Sequence, residues 1–190
     1  MDWSFSIRLR QPLTPEQADA FDHCDALADG AISYTLGPEN PADHPRFADS
    51  ALLRELACDI EAPTLLDAVA QAVQRIRLVD GLQAVGVALP DTVTLDEAGQ
   101  RSGLGASALT RLCQEEGFPV PVSGEGTVLY AWGQVLGFLR EVGHPVPDPP
   151  QDLVIAEQVL RLVDALDGAG VSLGTLRALG LPVDYESHRS

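Results

Sequence analysis

The first residues of the chain alternate between apolar and polar side chains. The residues in the polar places are serine or arginine, and the apolar ones are Trp3, Phe5, Ile7 and Leu9. This period of two is typical of a strand with one buried face. A helix is predicted next, because Thr14 can cap its first turn and Pro15 suits its first position. Its inner face would consist of Ala18, Phe21, Cys24 and Leu27.

Apolar patterning continues in the same way up to residue 90. Three more strands are predicted, at residues 31–37, 52–62 and 82–90. Before the last of them lies a helix with apolar residues at helical spacing, namely Leu65, Val69, Val73 and Ile76. The order βαββαβ is that of the ferredoxin-like arrangement, a four-stranded antiparallel sheet with two helices on one face. We therefore expect residues 1–91 to form a ferredoxin-like α+β domain.

The open face of such a sheet can bind RNA, a small ligand or a second copy of the chain. RNA binding on a sheet of this kind uses exposed aromatic side chains on the central strands. The sequence offers only Tyr34 for that role, without basic residues around it. This favours a partner or dimer surface over RNA.

Two short helices are predicted after residue 91. Thr94 and Glu97 form a T-x-x-E capping box that opens the first helix, and Gly103 ends it. The second helix is expected over residues 106–116. Gly99 is placed where the two helices would cross, and its lack of a side chain would let the backbones approach.

A hairpin and a third helix complete this part of the chain. The hairpin is expected over residues 121–130 with its turn at 123–126, and the helix begins at Trp132. Two helices, a small hairpin and a closing helix make a winged helix-turn-helix. We predict that residues 92–144 adopt this fold.

The C-terminal part has a proline-rich linker at residues 145–151 and a helical segment at 152–190. The segment is expected to form a helical hairpin. Five apolar residues in it share a helical spacing: Ile155, Val159, Leu162, Val163 and Leu166. A hairpin of this size cannot bury such a stripe alone, so the stripe must pack on the body of the protein or on another chain as an oligomer contact.

The composition indicates a globular protein with a strongly acidic surface. Of 190 residues, 45 % are hydrophobic, which is enough for a core. The net charge of −16 follows from 12 arginines against 28 acidic residues, and lysine is absent. No stretch approaches 18 consecutive apolar residues, so we expect no membrane span and a cytoplasmic location.

Catalytic and metal-binding patterns are weak. His23 and Cys24 with Cys58 form the only grouping that resembles a ligand set, and no C-x-x-C or H-x-x-x-H spacing supports it. No nucleophile elbow or phosphate-binding fingerprint occurs. We therefore predict no catalytic residue, no metal and no cofactor.

Four segments occur in order between residues 93 and 139: VTLDEAGQRSGL, TRL, GFPVPV and VLYAWGQVLGFL. Together they resemble the MerR/excisionase-like helix-turn-helix of many small actinobacterial proteins, in which a Phe-Pro-x-Pro segment precedes the wing and a tryptophan opens the last helix. The block before them, CDIEAPTLLDAVAQAVQRIRLVDGLQAVGVALPD, resembles the ferredoxin-like half of one such two-part family. The resemblance covers about residues 3–142 and implies a DNA-binding protein without an enzymatic role.

The helices and the wing hold the candidate contact residues for DNA or a protein partner. They are Arg101, Ser107, Thr110, Arg111 and Gln114 in the helices, and Ser123, Glu125 and Thr127 in the wing. The family usually displays arginine and other polar residues early in the second helix, whereas residues 105–108 here read GASA. DNA affinity depends largely on basic residues that neutralise phosphates, and few are present here.

Two functions follow from these observations. The order of the motifs favours a DNA-binding, transcription-regulator-like protein that acts as a homodimer. The acidic charge favours an alternative, a protein–protein interaction module of the adaptor or antitoxin type in which the same helix and wing dock a basic protein partner.

Overall fold

The computed structural model describes residues 2–35, 52–122, 127–146 and 148–181. Over these residues the chain is an α+β protein with one four-stranded and one two-stranded antiparallel sheet. The predicted loop of residues 38–47 and the chain after residue 181 lie outside the described residues.

The four-stranded sheet and its two helices follow the predicted order βαββαβ. The strands are β1 (Asp2–Leu9), β2 (Ile32–Tyr34), β3 (Glu55–Glu61) and β4 (Ala84–Ala88), and the helices are α1 (Pro15–Asp22) and α2 (Leu65–Ile76). The spatial order of the strands is β2-β3-β1-β4, and every neighbouring pair is antiparallel. The strands β2 and β4 therefore form the two edges of the sheet.

The alternation in β1 and β3 determines which face of the sheet is buried. Their apolar residues Phe5, Ile7, Leu9, Leu56, Cys58 and Ile60 are all buried, and the residues between them are exposed or half-buried. The helix α2 covers this face with Leu65, Ala68, Val69, Ala72 and Ile76. The core of this part therefore lies between the sheet and the helices, as the period of two predicts.

The strands β2 and β4 are shorter than the predicted 31–37 and 82–90, and α1 and β3 also differ from their predicted ends. The helix α1 stops at Asp22, and Leu27 instead belongs to a short 3₁₀ turn, because Cys24 between them has an extended backbone. The strand predicted from residue 52 begins at Glu55, since the three residues before it form another 3₁₀ turn.

Tyr34 lies on the helix side of the sheet, so its expected place on the open face is wrong. Its ring packs edge-on against Phe21 with 5.3 Å between ring centres, and its hydroxyl donates to Asp22. Burial, followed by the hydrogen bond to Asp22, raises the pKa of Tyr34 to about 12. Its register partner Leu56 is fully buried, which places both side chains on the core face.

The chain after β4 forms a compact unit of three helices and a two-stranded sheet. Its elements are β5 (Thr92–Val93), α3 (Leu95–Ser102), α4 (Ala106–Leu112), β6 (Tyr130–Ala131) and α5 (Trp132–Glu141). The capping box of Thr94 and Glu97 is present, and Gly103 ends α3 in the left-handed conformation, as predicted. The sequence patterns do not predict the pairing of β5 with β6.

The helix α4 is shorter than expected, because it ends at Leu112 and not at residue 116. After it the N–H groups of Gln114 and Glu115 donate to carbonyls three residues earlier, which tightens the chain into turns. Beyond them, Gly117 has a φ of +92°. Its left-handed backbone suits glycine and would interrupt a continuing helix.

The last two helices are α6 (Gln151–Ala169) and α7 (Leu173–Ala178). The helix α6 packs on the same chain, against edge strand β4 and helix α2. Its residues Ala156 and Leu160 are buried in the core of the four-stranded sheet. Of the two alternatives, packing on the body of the protein or on another chain, the first therefore holds for this face of α6.

The face of α6 that packs in cis is not the predicted apolar stripe. Ile155, Val159 and Leu162 are 37 %, 51 % and 41 % exposed, and Val163 and Leu166 are half-buried. Each residue of an α-helix is rotated by about 100° from the one before it. The buried residues Ala156 and Leu160 each come one position after an exposed stripe residue, Ile155 or Val159, so the buried face is rotated away from the stripe. The helix thus has a second apolar face on the protein surface.

The crossing of α3 and α4 depends on Gly99. A Cβ atom built on Gly99 would lie 2.6 Å from the carbonyl carbon of Gly105 and 2.6 Å from the amide nitrogen of Ala106. Both atoms belong to the backbone and cannot move aside as a flexible side chain could. The buried residues Ala98 and Leu109 fill the rest of the contact.

We predict that Gly99→Ala destabilises the protein by about 3 kcal/mol, which corresponds to a fall of roughly 6–12 °C in melting temperature. The matched control is Gly137→Ala in α5, where an added Cβ meets no atom within 4 Å. That substitution should raise stability by about 0.5–1 kcal/mol through helix propensity. Thermal unfolding followed by circular dichroism measures both, and equal melting temperatures for the two variants would contradict the close crossing.

Candidate functional site

The helix α4 presents a polar stripe to solvent. Ser107, Thr110, Arg111 and Gln114 are all exposed. The spacing i, i+3 and i+4 places the first three on one side of the helix, and Gln114 lies in the turn that follows it. On the other side Leu109 is fully buried. The Thr110 hydroxyl donates to the carbonyl of Ala106, 2.9 Å away, and is the one member of the stripe held by its own helix.

The charge of this stripe comes from one guanidinium. No hydrogen bond or ion pair joins the Arg111 guanidinium to any other described residue. Glu115 and Glu116 follow it and are exposed, so residues 106–116 carry one positive and two negative charges. The stripe is therefore polar with Arg111 as its one charged group, and two exposed carboxylates follow it in the chain.

Arg101 does not belong to the exposed stripe. Its Nη1 donates to the carbonyl of Pro90 at 2.8 Å, and its guanidinium carbon lies 5.8 Å from the centre of the Trp132 ring. Burial lowers the pKa of Arg101, and the nearby charges of Glu97 and Asp91 oppose that effect. The predicted contact residue instead joins α3 to the end of β4 and to α5.

The predicted wing is described only at its base. Val122 and Leu129 form an antiparallel bridge, and Thr127 is exposed. Ser123 and Glu125 lie outside the described residues. The strand β6 follows this base directly in the chain and pairs with β5. Next to this pair, the amide of Trp132 donates to the carbonyl of Asp91 at 2.7 Å.

An aromatic cluster that the sequence patterns did not reveal supports this base. The Phe118 ring packs edge-on against Tyr130 and Phe138, with ring centres 5.5 Å and 5.1 Å away. The cluster joins the segment after α4 to the core of the unit. The GFPVPV motif contains Phe118, but its partners lie 12 and 20 residues further along the chain.

A pocket of about 410 Å³ lies where β4, α3, α5 and the start of α6 meet; we call it the seam pocket. Its wall combines apolar side chains with two arginines, and the residues used below are Leu89, Arg101, Trp132, Leu136, Arg140 and Leu153. They come from four separate stretches of the chain. Sequence patterns therefore predict each helix and strand but not this concavity.

The ligand-like grouping of His23, Cys24 and Cys58 does not form a metal site. Within the described ranges, no three histidine, cysteine or acidic side chains converge as metal ligands would. Cys58 is buried, and burial raises the pKa of its thiol to about 12, so the thiol is protonated. His23 is exposed and bonds to the carbonyl of Asp19 in its own helix.

Among the helices of the described chain, none has both the length and the apolar composition that a bilayer crossing requires. Comparisons with protein-family models, with curated proteins and with solved structures found no match to this chain.

We predict that Arg101→Ala lowers the free energy of unfolding by about 2 kcal/mol, because it removes a charged hydrogen bond and a cation–π contact. Arg111→Ala, on an exposed helix position without a described partner, should change it by less than about 0.5 kcal/mol. Urea unfolding of the two variants measures the difference. Equal effects on stability would show that Arg101 does not tie α3 to β4.

Proposed function

We propose that this chain is a DNA-binding, transcription-regulator-like protein that places α4 against the major groove. The observation that carries this proposal is the exposed polar stripe of α4, held at a close crossing with α3 by Gly99. A helix presented in this way, with its inner side packed on a second helix, is the arrangement by which helix-turn-helix proteins read base edges. Such a protein would act in the cytoplasm.

We infer a winged helix-turn-helix for residues 92–144. The pair of α3 and α4, the hairpin base at Val122 and Leu129, and the closing helix α5 support this fold. The resemblance of the sequence to MerR/excisionase-like proteins supports it further. The stripe residues Ser107, Thr110, Arg111 and Gln114 are then the groups that approach DNA.

We infer a ferredoxin-like arrangement for residues 1–91. The element order βαββαβ and the strand order β2-β3-β1-β4 support it. The open face of the sheet carries small and acidic residues, including Ser4, Ser33, Ala57 and Asp59, and its arginine, Arg8, is paired with Glu157. A nucleic acid would be repelled by such a face, so the DNA contact is assigned to α4 alone.

The shortage of basic groups determines how such a protein would bind. DNA-binding proteins commonly neutralise about 6–10 phosphates, and each contact adds roughly 0.9 to the slope of log affinity against log salt. Here Arg111 is the one cation of the α4 stripe, so the electrostatic part of the affinity is small. Pairing of two protomers would double the number of contacts, and the exposed residues Ile155, Val159 and Leu162 of α6 offer an apolar surface for a homodimer.

We predict binding to a subset of genomic fragments at about 50 mM salt, with a salt slope of roughly −1 to −2 per protomer. Arg111→Ala should lower the slope by about 1 and weaken binding to all fragments. The paired change E115Q/E116Q should strengthen binding, because it removes two negative charges beside Arg111. Fluorescence anisotropy with labelled fragments measures each effect, and Arg77→Ala on the exposed end of α2 is the control.

Absence of binding near 50 mM salt by both the wild type and E115Q/E116Q would contradict the proposal. Binding that Arg111→Ala leaves unchanged would contradict the assignment of α4 as the contact surface.

A second candidate is a protein–protein interaction module that docks a basic partner. The observation that favours it is the exposed pair Glu115 and Glu116 in the turns after α4, together with the hydrogen bond that holds Arg101 to Pro90. Acidic surfaces speed the encounter with cationic partners. The same E115Q/E116Q variant discriminates: it should weaken a salt-sensitive protein complex, whereas it should strengthen DNA binding.

A further inference from the structure

The seam pocket has an apolar wall whose side chains are only partly covered. Leu89, Trp132, Leu136, Val146 and Leu153 line it, and each is half-buried. Ligand pockets in proteins are usually concave, mostly apolar and about 300–1,000 Å³ in volume. The seam pocket, at about 410 Å³, has the size and the lining of such a site.

Two guanidinium groups line the same pocket. Arg101 uses Nη1 to bond the carbonyl of Pro90, and a guanidinium has five N–H groups, so donors remain that no acceptor among the described residues takes up. Arg140 stands in the last turn of α5, exposed and without an ion pair to the described part of the chain. A carboxylate is the group that guanidinium donors bind best, often through two parallel hydrogen bonds.

The charge of the lining limits which anion fits. Among the lining residues, Arg101 and Arg140 carry two positive charges and Asp148 carries one negative charge. The charges of Glu97 and Asp91 also lie near Arg101 and offset part of this positive charge. A phosphate or nucleotide with two or more negative charges would therefore be repelled, and a single carboxylate is the anion that fits. The ring of Trp132 offers a flat apolar surface for the remainder of the ligand.

We propose that the seam pocket binds a small organic monocarboxylate with an apolar body, its carboxylate at Arg101 and Arg140 and its body against Trp132. The site is independent of DNA binding by α4. The ligand would contact β4, α5 and the start of α6 together, so its binding would also hold these parts of the chain to one another.

The first test is a fluorescence titration of the full chain carrying Trp3→Phe, which leaves Trp132 as the only tryptophan. The probes are phenylacetate and octanoate, each compared with its uncharged amide. We expect saturable changes in Trp132 emission, with each acid bound at least about tenfold more tightly than its amide. A ligand at roughly 100 times its Kd should also raise the melting temperature by about 5–10 °C.

Three variants locate the site. Arg140→Gln should weaken phenylacetate about tenfold and leave phenylacetamide unchanged. Arg77→Gln, at an exposed arginine directly after α2, should change neither. Ala88→Phe places a ring at the pocket wall and should abolish binding of both probes. Circular dichroism shows that each variant is folded, and Ala88→Phe tests the site if Arg140→Gln does not fold.

The proposal is overturned if neither acid binds at concentrations up to about 1 mM. It is also overturned if acids and amides bind equally, because the guanidinium groups would then play no part. Binding that persists unchanged in both Arg140→Gln and Ala88→Phe would place the ligand elsewhere on the protein.

Discussion

The edge of a β-sheet exposes backbone N–H and C=O groups that must find partners, and this constraint organises the whole chain. The strand β4 forms one edge, and helix α6 covers it. The Glu157 carboxylate accepts the amide of Val87 at 2.7 Å and also pairs with Arg8 and Arg161. On the same helix, Asp164 and Asp167 pair with Arg10, the residue directly after β1. The helix α6 is therefore joined to the first strand as well as to the edge strand.

Because β4 precedes the unit of β5 to α5 and α6 follows it, the contact between β4 and α6 holds both ends of this unit close together. At its beginning, the carbonyls of Pro90 and Asp91 accept hydrogen bonds from Arg101 and the amide of Trp132. At its end, the chain returns along the seam pocket to α6. The inner sides of the unit are used for this attachment, so the exposed stripe of α4 remains available for a partner. Arg101 serves this attachment, whereas Arg111 stays exposed on α4 and is the arginine that the proposed recognition would use.

Local signals in the sequence predict most of the elements. The alternation in β1 and the capping residues Thr14 and Thr94 act on neighbouring residues, and the structure confirms what they predict. The same holds for Gly99, because the short glycine turn brings the start of the second helix back against the middle of the first.

The errors arise where contacts between distant segments decide the outcome. The helix α6 has apolar residues on two sides, and its contacts with β4 and α2 select Ala156 and Leu160 for burial. Tyr34 stands in a short strand whose facing depends on its register with β3. The seam pocket is built from stretches far apart in the chain, so no pattern within a single helix or strand could predict it.

The sealing of β4 by α6 can be measured directly by native-state hydrogen exchange at the amide of Val87. We predict strong protection of this amide in the wild type, and a loss of about 10–100-fold in Glu157→Met, while the amide of Cys58 in β3 changes little. The methionine has a similar length but no acceptor, so it removes the bond to Val87 and leaves the apolar contacts of α6. A Val87 amide that exchanges as fast as an exposed one in the wild type, or that is indifferent to Glu157→Met, would contradict the attachment on which the arrangement of the chain depends.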